Sequence, residues 1–338
     1  MLPTLWYCLV ALMIAGYVIL DGFDLGAGAI HLFVAKSAEE RRVVLRSIGP
    51  VWDGNEVWLL AAGGTLYFAF PALYSASFSG FYLPLMMVLW LLILRGISIE
   101  FRNHIESPVW IPLWDAGFGV ASILLAVFYG AALGNVVRGV PLSAGGDFFL
   151  PLWTDFSPGA SPGILDWYTV LIGVLALAAL MVHGALWIRY KTSGDLSSRV
   201  RDFARGAWWI LGALTVLATA ASFAVQPQIA TNFREHLWGA VFPLLAIVGF
   251  AGMRWCSSEV GAFLSSCVYL AGMLTSAVFG VFPYVLPAVG DVGRGLTIYN
   301  TAPAEYGLQV GLAWWIPGMA LAGVYTVFVY RRFAGKVV

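Results

Sequence analysis

The chain is patterned as long uncharged runs, at 1–20, 57–94, 116–137, 167–188, 206–233, 237–253, 260–290 and 306–330, separated by short polar connections. Hydrocarbon cannot satisfy free backbone N–H and C=O groups, so a segment that crosses a bilayer is a helix or part of a closed barrel, and a helix needs about 20 apolar residues. The runs lack the alternation of barrel strands. They predict helices, the first continuing to about residue 34. The run at 57–94 is long enough for two, and Pro71, Ser75 and Ser77 in PALYSAS read as a break between helices over 57–70 and 78–99. About nine transmembrane helices result, and the expected fold class is an all-α polytopic membrane protein, one integral membrane domain over 1–338. The thinnest support is for helices at 237–253 and 260–283, whose turn holds only Arg254 and Glu259.

Composition agrees. Charged residues make up 11% and hydrophobic ones 60%, against roughly 25% charged in a soluble domain, and mean hydropathy is +0.84. Net charge is zero, which points away from nucleic acid. The basic residues are nevertheless unevenly placed: with nine helices, all 18 Lys and Arg except Arg138, Arg234 and Arg294 fall on one side. By the positive-inside rule that side is cytoplasmic, so the N-terminus is outside and the C-terminus inside. The uncharged N-terminal run continues past any cleavage site and reads as a retained helix rather than a signal peptide. Cys8, Cys256 and Cys267 are odd in number and widely spaced, which suits neither a disulfide framework nor a zinc site.

Ionisable side chains within such helices are costly and mark functional candidates. In LDGFDLGAG, Asp21 and Asp24 share a helix face, roughly 27 Å along the first helix at 1.5 Å per residue and so toward its inner edge. The bland alternative is a pair of solvated headgroup carboxylates, partnered by Arg41 or Arg42. In VWDGNEVWLL, Asp53 and Glu56 have the spacing of an N-capping box, a structural role that needs no function. In LRGISIEFRNH, Arg95, Glu100 and Arg102 arrive at the same inner side, where a lone arginine is usually a snorkelling anchor. Together the three motifs form one inner polar cluster, able to relay protons because pairing and burial act on a carboxyl in opposite directions.

Among the histidines, only His183 lies within a helix; His31 is near an inner helix end, and His104 and His236 are near loops. Haem ligation by this chain is therefore not expected. There is no CxxCH, Walker A or HExxH motif, and the glycine pairs follow no strand, which excludes a dinucleotide fingerprint. Trp208, Trp209, Trp314 and Trp315 suit interfacial belts.

LDGFDLGAG, ERRVVLRSIGPVWDGNEVWLLAAGG, FPALYSASFSGFYLPLMMVL and LRGISIEFR, in this order over 17–102, resemble subunit II of the cytochrome bd-type quinol oxidases, in the broad group that includes the cyanide-insensitive oxidases. From about residue 164 the likeness is one of helix layout. The resemblance implies two four-helix bundles plus a peripheral helix, here 1–135 and 164–332. It also implies a haem-bearing subunit I as partner, holding haem b and haem d and the quinol site, with no cofactor ligated by this chain. A small third subunit, lipid and quinone are further implied partners, and the bacterial cytoplasmic (inner) membrane is the implied location. By position it assigns a proton path to Asp53, with Glu56, Asp21, Asp24, Arg95 and Glu100. Relatives commonly carry His and Gln where this chain has Val51 and Glu56. The alternative function from the residues alone is a proton- or cation-coupled secondary transporter, against which the inner position of the carboxylates counts.

Overall fold

The computed structural model describes residues 1–159, 161–290 and 294–337. α1 (Leu2–Leu20) and α2 (Gly22–Val34) form one continuous rod, because Asp21 between them keeps α-helical backbone angles. α3 (Ala38–Ile48) is short and amphipathic, capped by Ser37, and buries Val44, Leu45 and Ile48. There follow α4 (Trp52–Ala69), α5 (Pro71–Gly80), α6 (Tyr82–Phe101), α7 (Trp110–Arg138), α8 (Trp167–Lys191), α9 (Gly194–Val225) and α10 (Pro227–Glu235). A 3-10 turn at Leu237–Ala240 leads into α11 (Val241–Trp255), and α12 (Glu259–Val281) and α13 (Glu305–Arg332) complete the chain. Among the described residues, eight helices are long and apolar enough to cross a membrane, and α4 with α5, bent by 120°, makes nine if counted as one span.

Three boundaries differ from expectation. PALYSAS is not a break but the body of α5: Pro71 at the first helical position lacks an N–H, and Phe70 before it is forced to φ −140°, ψ 65°, so a new helix starts at an angle. The next span accordingly begins at Tyr82 rather than residue 78. The run at 206–233 is broken in the same way by Gln226-Pro227, and its helix starts earlier, at Gly194. Thus Arg199, Arg201 and Arg205 ride on α9, whose 32 residues span about 48 Å and overrun the roughly 30 Å hydrocarbon. The helix expected over 260–283 runs over Glu259–Val281, and beyond it Tyr284–Leu286 (β1) pairs antiparallel with Leu296–Thr297 (β2).

Two seams show how small residues replace the hydrophobic effect as the source of helix contact in lipid. A Cβ on Gly26 would lie 1.9 Å from the Leu180 carbonyl oxygen, and one on Gly184 would lie 2.4 Å from the Ala27 nitrogen, so α2 and α8 touch backbone to backbone. Gly249 and Gly272 do the same for α11 and α12. α7 packs on α2, α6 and α8, and α8 in turn packs on α2, α7 and α9. α13 lies outermost, burying only Leu308.

On the outer side the connection 139–166, the β-ribbon and α5 form a second apolar cluster around Trp6, Phe70, Phe148 and Leu286. Arg138 anchors it, donating to Asp166, the Gly163 carbonyl (3.0 Å) and Asn135 (2.7 Å). Of the belt tryptophans, Trp209 and Trp314 are exposed, while Trp208 is buried, stacked on Phe250.

Gly184→Ala is expected to lower stability by about 1–3 kcal/mol through overpacking. Gly206→Ala, whose added methyl meets nothing within 4 Å, should leave it unchanged or slightly raised; thermal unfolding in detergent distinguishes the two.

Candidate functional site

The α1–α2 rod carries Tyr17, Asp21, Asp24, Gly28 and His31 at alternating spacings of four and three, so all lie along one face. Arg95, fully buried on α6, meets that face with both of its terminal nitrogens. It forms a bidentate pair with Asp21, Nη1 to Oδ2 and Nη2 to Oδ1 both at 2.8 Å, and Nη2 also reaches Glu56 Oε2 of α4 at 2.9 Å. Asp21 is as buried as its partner, whereas Glu56 keeps 24% of its side chain exposed. One turn inward, Asn55 Nδ2 donates to Asp24 Oδ2 (2.8 Å), and Tyr330 of α13 donates its hydroxyl to Asn55 Oδ1 (2.9 Å). Asp24 Oδ1 and Arg95 Nε are buried without a partner. Above Asp21, Tyr17 donates to the Tyr129 hydroxyl at 3.0 Å.

This placement settles the structural alternatives. Asp53 and Glu56 form no capping box: the N-cap of α4 is Val51, with no side-chain cap, and Glu56 turns instead to the Arg95 guanidinium, the stronger attraction in low dielectric. Arg95 does not snorkel. Arg41 and Arg42 do not pair with Asp21 or Asp24; Arg42 meets Glu39 at 3.1 Å and Arg41 meets Asp115 at 3.3 Å. Nor do all six candidate residues converge, since Asp53 and Glu100 are exposed, with Glu100 contributing only its carbonyl to His104 (2.9 Å). They stand near the inner ends of α4 and α6, where the Trp52 ring lies 3.6 Å from the position of a Gly96 Cβ.

Sequence reasoning missed two further buried carboxylates, Asp166, beside Arg138, and Asp115. Asp115 at the head of α7 holds Arg102 Nε at 2.5 Å and Arg41 at 3.3 Å, and Arg102 Nη2 also donates to the Ala38 carbonyl (3.2 Å). Its signal was a lone acid heading an apolar run opposite an arginine. Asn55 sat within VWDGNEVWLL, but Tyr330 had no signal, its partner being 275 positions away.

Nearby on α3, Glu40 accepts from Arg199 of α9 and from the Lys36 backbone at 2.6 Å. Partial burial alone would raise its pKa, but the Arg199 hydrogen bond and charge and the backbone N–H donors outweigh it and hold the carboxyl below its ordinary value.

Two of the histidines are buried in the helix packing. His183 is fully buried; its Nε2–H donates to the Ile19 carbonyl at 2.9 Å, and its Nδ1 lies 2.7 Å from Ser266 Oγ. His31 donates Nδ1–H to the Gly28 carbonyl (2.7 Å), its ring is packed against Phe118 and Gly119, and its Nε2 is buried without a hydrogen-bond partner. Among the described residues no group of three or more His, Cys, Asp or Glu could hold a metal ion.

The family model for cytochrome bd terminal oxidase subunit II matches residues 2–333. The chain belongs to that family. Curated relatives of bd-oxidase subunit II agree over nearly the full length. "Probable cytochrome oxidase subunit 2" of Haemophilus influenzae is 31% identical over 99% of this chain and 95% of its own. "Cytochrome bd-I ubiquinol oxidase subunit 2" of Escherichia coli is 30% identical with the same coverage. "Cytochrome bd ubiquinol oxidase subunit 2" of Bacillus subtilis is 29% identical over 98% of this chain and 96% of its own. The fold matches a chain of the bd oxidase from Geobacillus thermodenitrificans with a TM-score of 0.78, 18% identity and 98% coverage of both chains. The chain is thus part of a quinol oxidase complex, an oxidoreductase with haem cofactors and at least one further subunit. None of these likenesses supports a transporter.

Breaking the central pair should be severe. Arg95→Gln leaves Asp21 buried without its cation and is expected to cost about 3–5 kcal/mol in thermal unfolding, with partial recovery when Asp21→Asn is added. The Glu40 contact has a pH signature. A depressed folded-state pKa means that its stabilisation is complete above the ordinary glutamate value of 4.5 and fades as pH falls below it. The stability gap between wild type and Glu40→Gln, at most about 1 kcal/mol for so exposed a pair, should therefore narrow on acidification.

Proposed function

We propose that this subunit leads protons from the cytoplasmic side of a bacterial inner membrane toward a partner subunit that holds haem b and haem d and oxidises quinol while reducing dioxygen to water. The observation that carries the reading is the buried Asp21–Arg95–Glu56 cluster, which opens toward the inner side through the partly exposed Glu56. Asp53, three residues earlier on α4, and Glu100, five residues after Arg95 on α6, supply carboxylates at the entrance; Asp24, joined through Asn55, extends the line inward. Two carboxyls paired with one guanidinium, with a third, that of Asp24, beside them on Asn55, change the charge of the cluster as a proton enters or leaves, which is what a relay station requires.

Asp53 and Glu100, exposed on this chain, suit a surface that the haem-bearing subunit covers. The histidine geometry favours haem ligation by that partner and none by this chain. Haem supplies the electron transfer and oxygen chemistry of the complex, and this chain holds and moves protons. The same reading takes 1–338 as one membrane domain whose halves, 1–135 and 164–332, form the bundles, with N-terminus outside. It leaves room for a small third subunit.

Asp53→Asn and Glu56→Gln in the purified complex are expected to lower quinol-driven oxygen consumption about tenfold or more, the range lost with a general acid–base group, while the reduced-minus-oxidised haem spectrum is kept. Unchanged oxygen consumption in both variants would remove the proton-path reading.

A further inference from the structure

Away from the carboxylate cluster, the inner ends of α8, α9 and α11 enclose a cavity of ≈190 Å³. Arg189, Arg201, Arg205 and Arg254 line its mouth, and Leu186, Trp208 and Met253 are among the apolar residues beneath. No acid lines it. A shallower hollow beside it shares Arg189 and Arg201 and adds the Ser193, Ser197 and Ser198 hydroxyls; its one acid, Glu259, is already paired with Lys336 at 2.8 Å.

Four guanidiniums around one small space repel one another unless an anion joins them. The internal compensation is slight: Asp202, outside the cavity, lies 3.4 Å from Arg201 and 4.0 Å from Arg205 and is itself well exposed. Arg189 and Arg254 have no carboxylate partner among the described residues. In a chain of zero net charge this concentration is a local feature, and its planar donors match phosphate oxygens in pairs.

The surroundings indicate what carries the phosphate. The cavity floor is apolar, and Trp209 and Trp255 flank it at 68% and 72% exposure, the amphipathic residues that sit at the headgroup level of a bilayer. The α9 and α11 faces leading away from it are exposed and apolar, with Ile210, Ile247 and Val248 outward. Basic pockets between helices on the cytoplasmic side are suited to acidic lipid headgroups. We propose that this cavity binds an anionic phospholipid of the inner leaflet, its phosphate held by Arg189 and Arg254 with Arg201 and Arg205, and an acyl chain lying along α9 and α11.

The test uses the purified, delipidated oxidase complex and labelled phosphatidylglycerol, with phosphatidylcholine and inorganic phosphate as competitors. The Arg189→Gln/Arg254→Gln double variant is expected to bind phosphatidylglycerol about tenfold more weakly or worse, since each basic residue at a membrane surface contributes a fewfold or more, with the haem spectrum of the complex unchanged. Arg332→Gln, a charge removed from the inner end of α13 outside the cavity, should leave affinity within about twofold. Equal loss in both variants, or equal retention by the double variant, overturns the proposal. So does displacement by phosphatidylcholine at matching concentration, or by millimolar inorganic phosphate, which would make this a free-phosphate site. Should the double variant not assemble, phosphatidylglycerol with a photoreactive acyl chain decides on the wild-type complex: labelling of α9 and α11 near Trp209 and Trp255 is expected, and labelling confined elsewhere overturns the assignment.

Discussion

A fully buried guanidinium in a membrane protein needs carboxylate partners, and Arg95 organises the first third of this chain by that need. Its two carboxylate partners sit on different helices, Asp21 on the α1–α2 rod and Glu56 on α4, so one side chain of α6 fixes the mutual height and rotation of three spans. Coulomb attraction is strong where water is scarce, yet desolvation of three charges opposes it, so the net contribution to stability is small while the penalty for a missing partner is large. Such a cluster specifies geometry more than it adds stability.

The remaining contacts work around that constraint with little polar chemistry. Gly26 and Gly184 let α2 and α8 approach until backbones touch, which holds the rod in place behind the cluster. At the inner surface, Asp115 gathers Arg41 and Arg102, and Glu40 gathers Arg199, tying α3 to α7 and α9. At the outer surface Arg138 and Asp166 play the same part for the connection 139–166. Charged groups are thus used in compact, partnered sets at both ends of the helices, while the arginines of the α8–α9–α11 cavity stand apart as a set without internal acids.

The helical layout was legible because its cause is local: a bilayer demands uninterrupted apolar helix, and Lys and Arg collect on one side. Where expectation failed, proline was the reason. Pro71 and Pro227 each start a new helix at an angle instead of ending one in a loop, and a hydropathy pattern does not distinguish the two. The capping-box reading of Asp53 and Glu56 rested on spacing alone; a buried cation on a neighbouring helix competes for Glu56 more strongly than two backbone amides can.

From its residues alone the chain determined its spans, their orientation, its family motifs and the membership of most of the polar cluster, since these follow from periodicity, charge placement and short-range spacing. Only the tertiary structure decided that Asp21 belongs to Arg95, that Asn55 and Tyr330 complete the shell of Asp24, that Asp53 and Glu100 stay at the surface, and that four arginines from three helices share one cavity. Partner choice between helices depends on their rotation and height, and those are set by packing between residues tens to hundreds of positions apart, which no local pattern encodes.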